Sequence, residues 1–568
     1  MNDPQRFPVV LLWHMHQPNY RDALSGQYLL PWTCLHAIKD YVDMAAHLEA
    51  NPQARAVVNF TPVLIEQLQE LAARVAAHLQ QGSPLPDPVL SVLAPQALPQ
   101  ERAARLALLQ ACLRANRTHL IGRYPAYQQL ATLAAELGTP ERIGYASDQL
   151  LRDLGMWFHI AWLGETVKRS DLRIAALIDH ERDFGPAHWR SLLELIGELL
   201  AGVLPRYRRL AERGQVELAV SPYAHPILPL LFDFRAARES QPAAPLPASP
   251  AYPGGAERAQ WHMDEALRVF EVAFGQRPTG CWPSEGAISE RALQLIDGCG
   301  FRWLASGGGV LRGCLAKAAA RPGETGTTHA SHRAYRRPGQ QLRCYFRDDE
   351  LSDLIGFTYS TWHGDDAVRH FVAELERVAT AAHVRGDQLV LVALDGENAW
   401  EHYPFNGYYF LQGLYAALTV HPRLELTTLQ AVLERDPPAE TLQTVVAGSW
   451  VHGTLATWIG DRDKNAGWDL LVEAKHAVDA VFASGRCDAA QRAAIERQLA
   501  QCESSDWFWW FGDYNPAEAV RDFDQLYRHQ LASLYRLIGQ PEPESLAHAI
   551  STGNGAPEGG GVMRRARE

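Results

Sequence analysis

Leu389-Val390-Leu391-Val392-Ala393-Leu394-Asp395-Gly396-Glu397-Asn398-Ala399-Trp400 decides the fold. Its six leading apolar residues, stopped by Asp395-Gly396, have the length of a strand and none of the alternation of a half-solvated one. A strand apolar on both faces belongs in a parallel sheet covered by helices. Asp395 then stands at the carboxyl end of the strand, the edge on which α/β folds place their ligands.

Working outward, the same signature recurs. Phe7–Trp13, Ala56–Phe60, Gly214–Pro222, Phe301–Ala305 and Leu342–Arg347 read as further strands. Apolar residues at helical spacing separate them: 63–79, 101–116, 146–168, 187–213, 257–274, 288–296 and 365–383. Strands alternating with helices specify α/β architecture. Trp157, Phe158 and Trp162 on the 146–168 helix read as a packing stripe. The Ala-, Pro-, Ser- and Gly-rich stretch 235–255 is a long loop, placed to act as a lid. Gly307 to Gly309 lacks the spacing of a phosphate loop and reads as a flexible turn. Past residue 406 the pattern turns to helices with few strands, ending in an aromatic cluster, Ser504 to Asp513, expected to be mostly core.

The 568 residues carry a net charge of −12, which argues against nucleic acid and against an anionic membrane surface, both of which would repel it. A neutral polymer meets no such barrier. Eight cysteines occur without a Cys-x-x-Cys pair or a metal-ligand spacing, so they read as reduced, mostly buried thiols. The apolar run Val9 to Trp13 is too short for a signal peptide or membrane span, and a cytoplasmic location is the simplest expectation.

A second carboxylate stands out 110 residues before Asp395, in Gly280-Cys281-Trp282-Pro283-Ser284-Glu285. A glutamate capping the following helix would explain it alone. Paired with Asp395 at another strand end, it becomes half of the equipment for glycoside cleavage, where one carboxyl attacks and the other protonates the leaving oxygen. At the end of the first strand, alternation puts His14 and His16 on one face. They could ligate a divalent metal or hydrogen-bond sugar hydroxyls. Glu217 interrupts an apolar strand and, with His225 just beyond, is expected to face a polar cavity. The acid-rich turn 348–353 is either a solvated turn or, through Asp353, part of the site's framework.

Together these residues resemble glycoside hydrolase family 57, which acts on α-glucans. The stretches that carry the likeness are His14-Met15-His16-Gln17-Pro18, Gly214 to Pro226, Trp282 to Glu285, Asp395 to Trp400 and Trp458 to Trp468, in that order. The resemblance implies a (β/α)7 barrel over residues 1–405, with a helical insertion at about 63–213. It implies a C-terminal helical domain over 406–545 that completes the cleft; residues 546–568 are expected to form a disordered tail. It implies retention of configuration, with Glu285 as nucleophile and Asp395 as general acid/base. His14, His16, Glu217, His225, Trp282, Trp400 and Trp458 would line the sugar subsites, and Asp353 and Asp506 complete the expected substrate-binding set. No cofactor and no metal is implied, and the partner is an α-glucan or maltooligosaccharide. Asp395 to Trp400, Leu351 to Phe357 and Ser504 to Trp510 look most like amylopullulanase-type members. A 4-α-glucanotransferase or branching enzyme would use the same residues. A metal-dependent deacetylase or amidohydrolase built on His14, His16 and His225 is the alternative from another class.

Overall fold

The apolar runs form ten strands: β1 Phe7–Met15, β2 Ala56–Phe60, β3 Val216–Val220, β4 Gly280–Cys281, β5 Trp303–Ser306, β6 Tyr335–Arg336, β7 Arg343–Phe346, β8 Val390–Asp395, β9 Leu424–Thr427 and β10 Glu440–Thr441. This is a computed structural model that describes residues 6–318, 328–555 and 563. Strand order is β10-β6-β7-β5-β4-β3-β2-β1-β8, with β9 paired to the other part of β1. Every pairing is parallel except β6 with β7. The sheet curls round on itself: Asp348 N–H, just past β7, donates to the Leu391 carbonyl of β8 at 2.7 Å. The strands β1, β2, β3, β4, β5, β7 and β8 thus enclose an incomplete (β/α) barrel of the expected class.

Alternation sorts each strand into two rows. The inward row, Val10, Leu12, Val57, Ala219, Trp303, Ala305, Tyr345, Leu391 and Ala393, packs as its own buried core. The outward row packs beneath the helices Pro62–Gln81, Pro186–Glu212, Gly255–Phe274 and Gly364–Arg385. Burying both rows is what the unbroken apolar runs require. Beyond residue 406, β9 and β10 return to this sheet, and the rest is helical.

Two loops differ from expectation. Gly308 opens the helix Gly308–Ala318, and its N–H donates to Asp349 Oδ1 at 3.2 Å, so the glycine run is a helix start and not a flexible turn. No described residue of 235–255 lines the cleft. That segment is a strap: Ala248 and Ser249 N–H groups donate to Asp469, and Tyr252 donates to Glu503 at 2.5 Å. Residues 546–555, expected as the start of a disordered tail, are packed. Leu546 is buried, and Asp524 accepts from the Ile550 and Ser551 N–H groups. Residues 556–562 and 564–568 of the expected tail lie outside the described residues. Among the described residues no helix is long and apolar enough to cross a membrane.

Glu503 is the rivet between barrel and C-terminal helices. Its buried carboxylate accepts from Arg258 Nε at 2.8 Å and from Arg258 Nη2 at 2.8 Å, and lies 2.8 Å from His262 Nε2. Burial alone would raise its pKa, but the Arg258 charge and the bonds from His262 and Arg258 prevail and hold it at about 2. Glu503→Gln would strand Arg258 in the interior, and we expect a loss of about 3–5 kcal/mol in denaturant unfolding. Because the folded pKa is depressed, this stabilisation is present above the ordinary glutamate range and is lost as pH falls towards about 2.

Candidate active site

Four inward-row positions at the carboxyl edge leave the apolar core and become polar: His14, Asn59, Ser221 and Asp395. The parallel register places His14 beside both Asn59 and Asp395. His14 Nδ1 lies 2.6 Å from Asn59 Oδ1, and His16 Nδ1 lies 3.0 Å from Thr61 Oγ1, two residues further along the same pair of strands. His225, from the loop after β3, stacks on His16 with centroids 3.9 Å apart and lies 3.2 Å from His14, Nε2 to Nε2. The C-terminal helical region caps this group. Ser505 Oγ is 2.9 Å from His225 Nδ1, and Asp506 Oδ2 is 3.0 Å from His16 Nε2. Burial, with the neighbouring imidazoles, lowers the pKa of His14 to about 3 and that of His225 well below normal. Both rings are therefore neutral.

These groups open on one cavity of about 740 Å³, within the range of small-ligand sites. Glu285 and Asp395 both line it. Glu285 has φ +58°, a left-handed conformation that costs a non-glycine residue about 1–3 kcal/mol. Neighbours hold it there: Trp450 N–H donates to the Glu285 carbonyl at 3.0 Å, and Ser306 Oγ donates to the Gly286 carbonyl at 2.6 Å. Trp450 Nε1 then donates to the Glu285 carboxylate, Oε2, at 2.9 Å. Asp395 lies where β8 leaves the sheet, and the glycine that follows leaves room for the buried Met15 side chain. A Cβ on Gly396 would stand 2.2 Å from Met15 Sδ, while the Gly396 N–H donates to the His14 carbonyl at 2.7 Å.

The two carboxyls differ in surroundings. Burial pushes Asp395 up to about 6, against the opposing effects of the Asn398 hydrogen bond and the His16 and Arg347 charges. Glu397, two residues on, is buried, lines the same cavity and is raised well above normal by burial and then by Asp395. Arg347 donates to Asp353 Oδ1 at 2.9 Å and lies 5.1 Å over the Trp450 ring. Asp353 thus belongs to the site's framework.

Of the expected residues, Glu285, Asp395, His14, His16, His225, Asp353 and Asp506 meet at this cavity. Glu217, Trp282, Trp400 and Trp458 do not. Glu217 faces inward as alternation requires, but at the start of β3, roughly 13 Å below Ser221 at the strand rise per residue. There it accepts from Trp303 Nε1 at 2.6 Å and from the Gln430 N–H at 2.8 Å, and burial raises it to about 7. It closes the barrel floor. Trp282 is buried behind Trp450, ring centroids 5.1 Å apart. Trp400 is buried among Trp13, Tyr403 and Phe410, and Trp458 is buried against Trp509. The indoles that do line the cleft are those of Trp32, Trp162, Trp450, Trp509 and Trp510. Trp509 and Trp510 lie within the aromatic cluster read from sequence as core, and Glu397 within the quoted motif. No periodicity separated them from their buried neighbours.

His16, His225 and Asp506 also offer donor atoms within 4.8 Å of one another, enough to ask whether they could hold a metal. Their geometry is that of a hydrogen-bonding array. The two rings stack at 28°, and the Nδ1 of each already faces a hydroxyl, Thr61 for His16 and Ser505 for His225. His16 Nε2 faces Asp506 and His225 Nε2 faces His14.

The model of glycosyl hydrolase family 57 matches residues 10–445. The chain belongs to this family. Solved structures of similar fold include a family 57 branching enzyme from Thermococcus kodakaraensis, 14% identical with a TM-score of 0.60, covering 94% of this chain and 90% of that one. The α-amylase AmyC from Thermotoga maritima is 12% identical with a TM-score of 0.57, covering 96% of each chain. A 4-α-glucanotransferase from Thermococcus litoralis is 11% identical with a TM-score of 0.50, covering 94% of this chain and 60% of that one. At these identities the likeness is one of fold, and within family 57 it spans several activities.

Proposed function

We propose that this family 57 enzyme cleaves α-1,4-glucosidic bonds, and α-1,6 bonds in the amylopullulanase manner, with retention of configuration. The observation that carries the reading is that Glu285 and Asp395 line one aromatic-walled cavity, with the Asp395 carboxyl raised by burial. Glu285, aimed by the Trp450 N–H, is the nucleophile. Its carboxylate attacks the anomeric carbon, while Asp395 gives its proton to the departing glycosidic oxygen. A carboxyl raised to about 6 still carries a useful fraction of its proton near neutrality, where an ordinary aspartate carries almost none. Asp395 then takes a proton from the incoming acceptor, and water completes hydrolysis. His14, His16, His225 and Asp506 supply donors and acceptors for sugar hydroxyls, and Trp450, Trp509 and Trp510 offer faces to the rings. The substrate is an α-glucan or maltooligosaccharide, and the residues that do this chemistry need no metal.

A digest of maltoheptaose and pullulan, read by chromatography with the anomer followed by NMR, tests this. Only shorter products, released as the α anomer, are expected. Early appearance of chains longer than maltoheptaose would assign the enzyme to transfer, and a β anomer would overturn retention. Loss of activity to chelator, with stoichiometric zinc in the purified protein, would instead support the deacetylase reading.

A further inference from the structure

Large aromatic side chains are seldom exposed, and a cluster of them marks a binding surface. Three of the exposed ones gather outside the cleft: Trp362 (39% exposed), Phe405 (40%) and Tyr409 (47%). Trp362 stands edge-on to Tyr359, which packs against Phe410, the residue next to Tyr409. A Cβ on Gly364 would touch the Tyr409 Cβ at 3.1 Å, so the Trp362 and Tyr409 segments lie against each other. Phe405 meets Tyr409 at 5.6 Å with the rings at 89°.

The loop that presents Phe405 is strained. Phe405 and Asn406 have φ of +55° and +54°, consecutive left-handed residues that are not glycine. Such strain persists only where the surroundings enforce it, and it concentrates at functional sites. Here Asn406 is clamped from below: Lys39 Nζ donates to its Oδ1 at 3.1 Å, and its Nδ2 donates to Asp43 Oδ2 at 2.9 Å. Arg123 lies 4.8 Å over the Phe405 ring, and Arg169 donates to the Tyr409 hydroxyl at 3.0 Å. Both guanidiniums share Glu165, which offsets one of their two charges.

The patch also adjoins the active site along the chain. Glu401 and Phe357 line the cleft, and the chain runs from them in a few residues to Phe405 and Trp362 respectively. Lys39, which holds Asn406, lies 5.0 Å over Trp162 of the cleft wall.

We propose that Trp362, Phe405 and Tyr409 form a second α-glucan-binding surface, which holds a remote part of the polymer whose scissile bond occupies the cleft. This rests on the α-glucan reading above. Sugar C–H faces stack on aromatic rings, and the guanidinium N–H groups and Tyr409 hydroxyl bond to sugar hydroxyls. Rings set at a steep angle fit the curved α-1,4 chain, whereas a flat β-1,4 ribbon needs coplanar ones.

The test is the double variant Trp362→Ala/Tyr409→Ala in the full chain, read by retardation in native gels containing glycogen and by kcat/KM on maltoheptaose. Roughly tenfold weaker retention on glycogen, with maltoheptaose kinetics unchanged, is expected; the unchanged kinetics also show that the variant folds. Glycogen retention equal to wild type would overturn the surface and leave the α-glucan reading standing. Equal loss of retention and maltoheptaose activity would overturn it too, in favour of a packing role; Trp362→Phe/Tyr409→Phe, which keeps the rings, would then restore both. A wild-type enzyme inactive on every α-glucan would instead remove the reading on which the surface rests.

Discussion

Glu285→Gln is expected to lower kcat on α-glucans by about 10⁴-fold or more, the scale of removing an attacking group, with little change in thermal unfolding. The amide keeps the shape of the carboxylate and an oxygen that can still accept from Trp450 Nε1 at the observed 2.9 Å. Position is thus preserved and nucleophilicity removed. Glu285→Gly with added azide separates this role from a merely electrostatic one. Azide entering the vacated space attacks the anomeric carbon directly, and the product is a β-glucosyl azide. Activity of either variant within tenfold of wild type would exclude Glu285 as the nucleophile.

The second large effect belongs to Asp395. Asp395→Ala should cost about 10²–10⁴-fold on natural glucans, and much less in the first step on aryl α-maltosides, whose leaving groups depart without a proton. With Asp395 absent the glycosyl-enzyme accumulates, so azide should rescue turnover and give the α-glucosyl azide, the opposite anomer to that from Glu285→Gly. In the wild type the acid must be protonated for the first step. Its raised pKa of about 6 therefore places the activity below that pH, and kcat/KM should fall tenfold per pH unit above it. Asp395→Ala should lose that alkaline limb. A limb unchanged in the variant would assign the titration to another group.

How much of the site was legible follows from what alternation can and cannot encode. Period two put His14 and His16 on one face, where the structure has them. It carries no information on depth along the strand, so Glu217, at the floor, was indistinguishable from a group at the mouth. Trp282, Trp400 and Trp458 fail for a related reason. An indole beside a catalytic motif can form the wall or buttress it, and which one it does depends on packing from chain segments far away. Trp282 is the buttress and Trp450 the wall, 168 positions later in the chain.

The order of apolar runs and helical periods in this chain sufficed for an α/β barrel, because burying a strand on both faces leaves few other arrangements. Motifs next to strand ends sufficed to single out the two carboxyls that line one cavity. Only the tertiary structure decided the depth of Glu217, the indoles that line the cleft, the strap made by 235–255 and the environment that raises Asp395. Each depends on contacts between residues tens to hundreds of positions apart, and these are set by side-chain packing and burial, which no local pattern records.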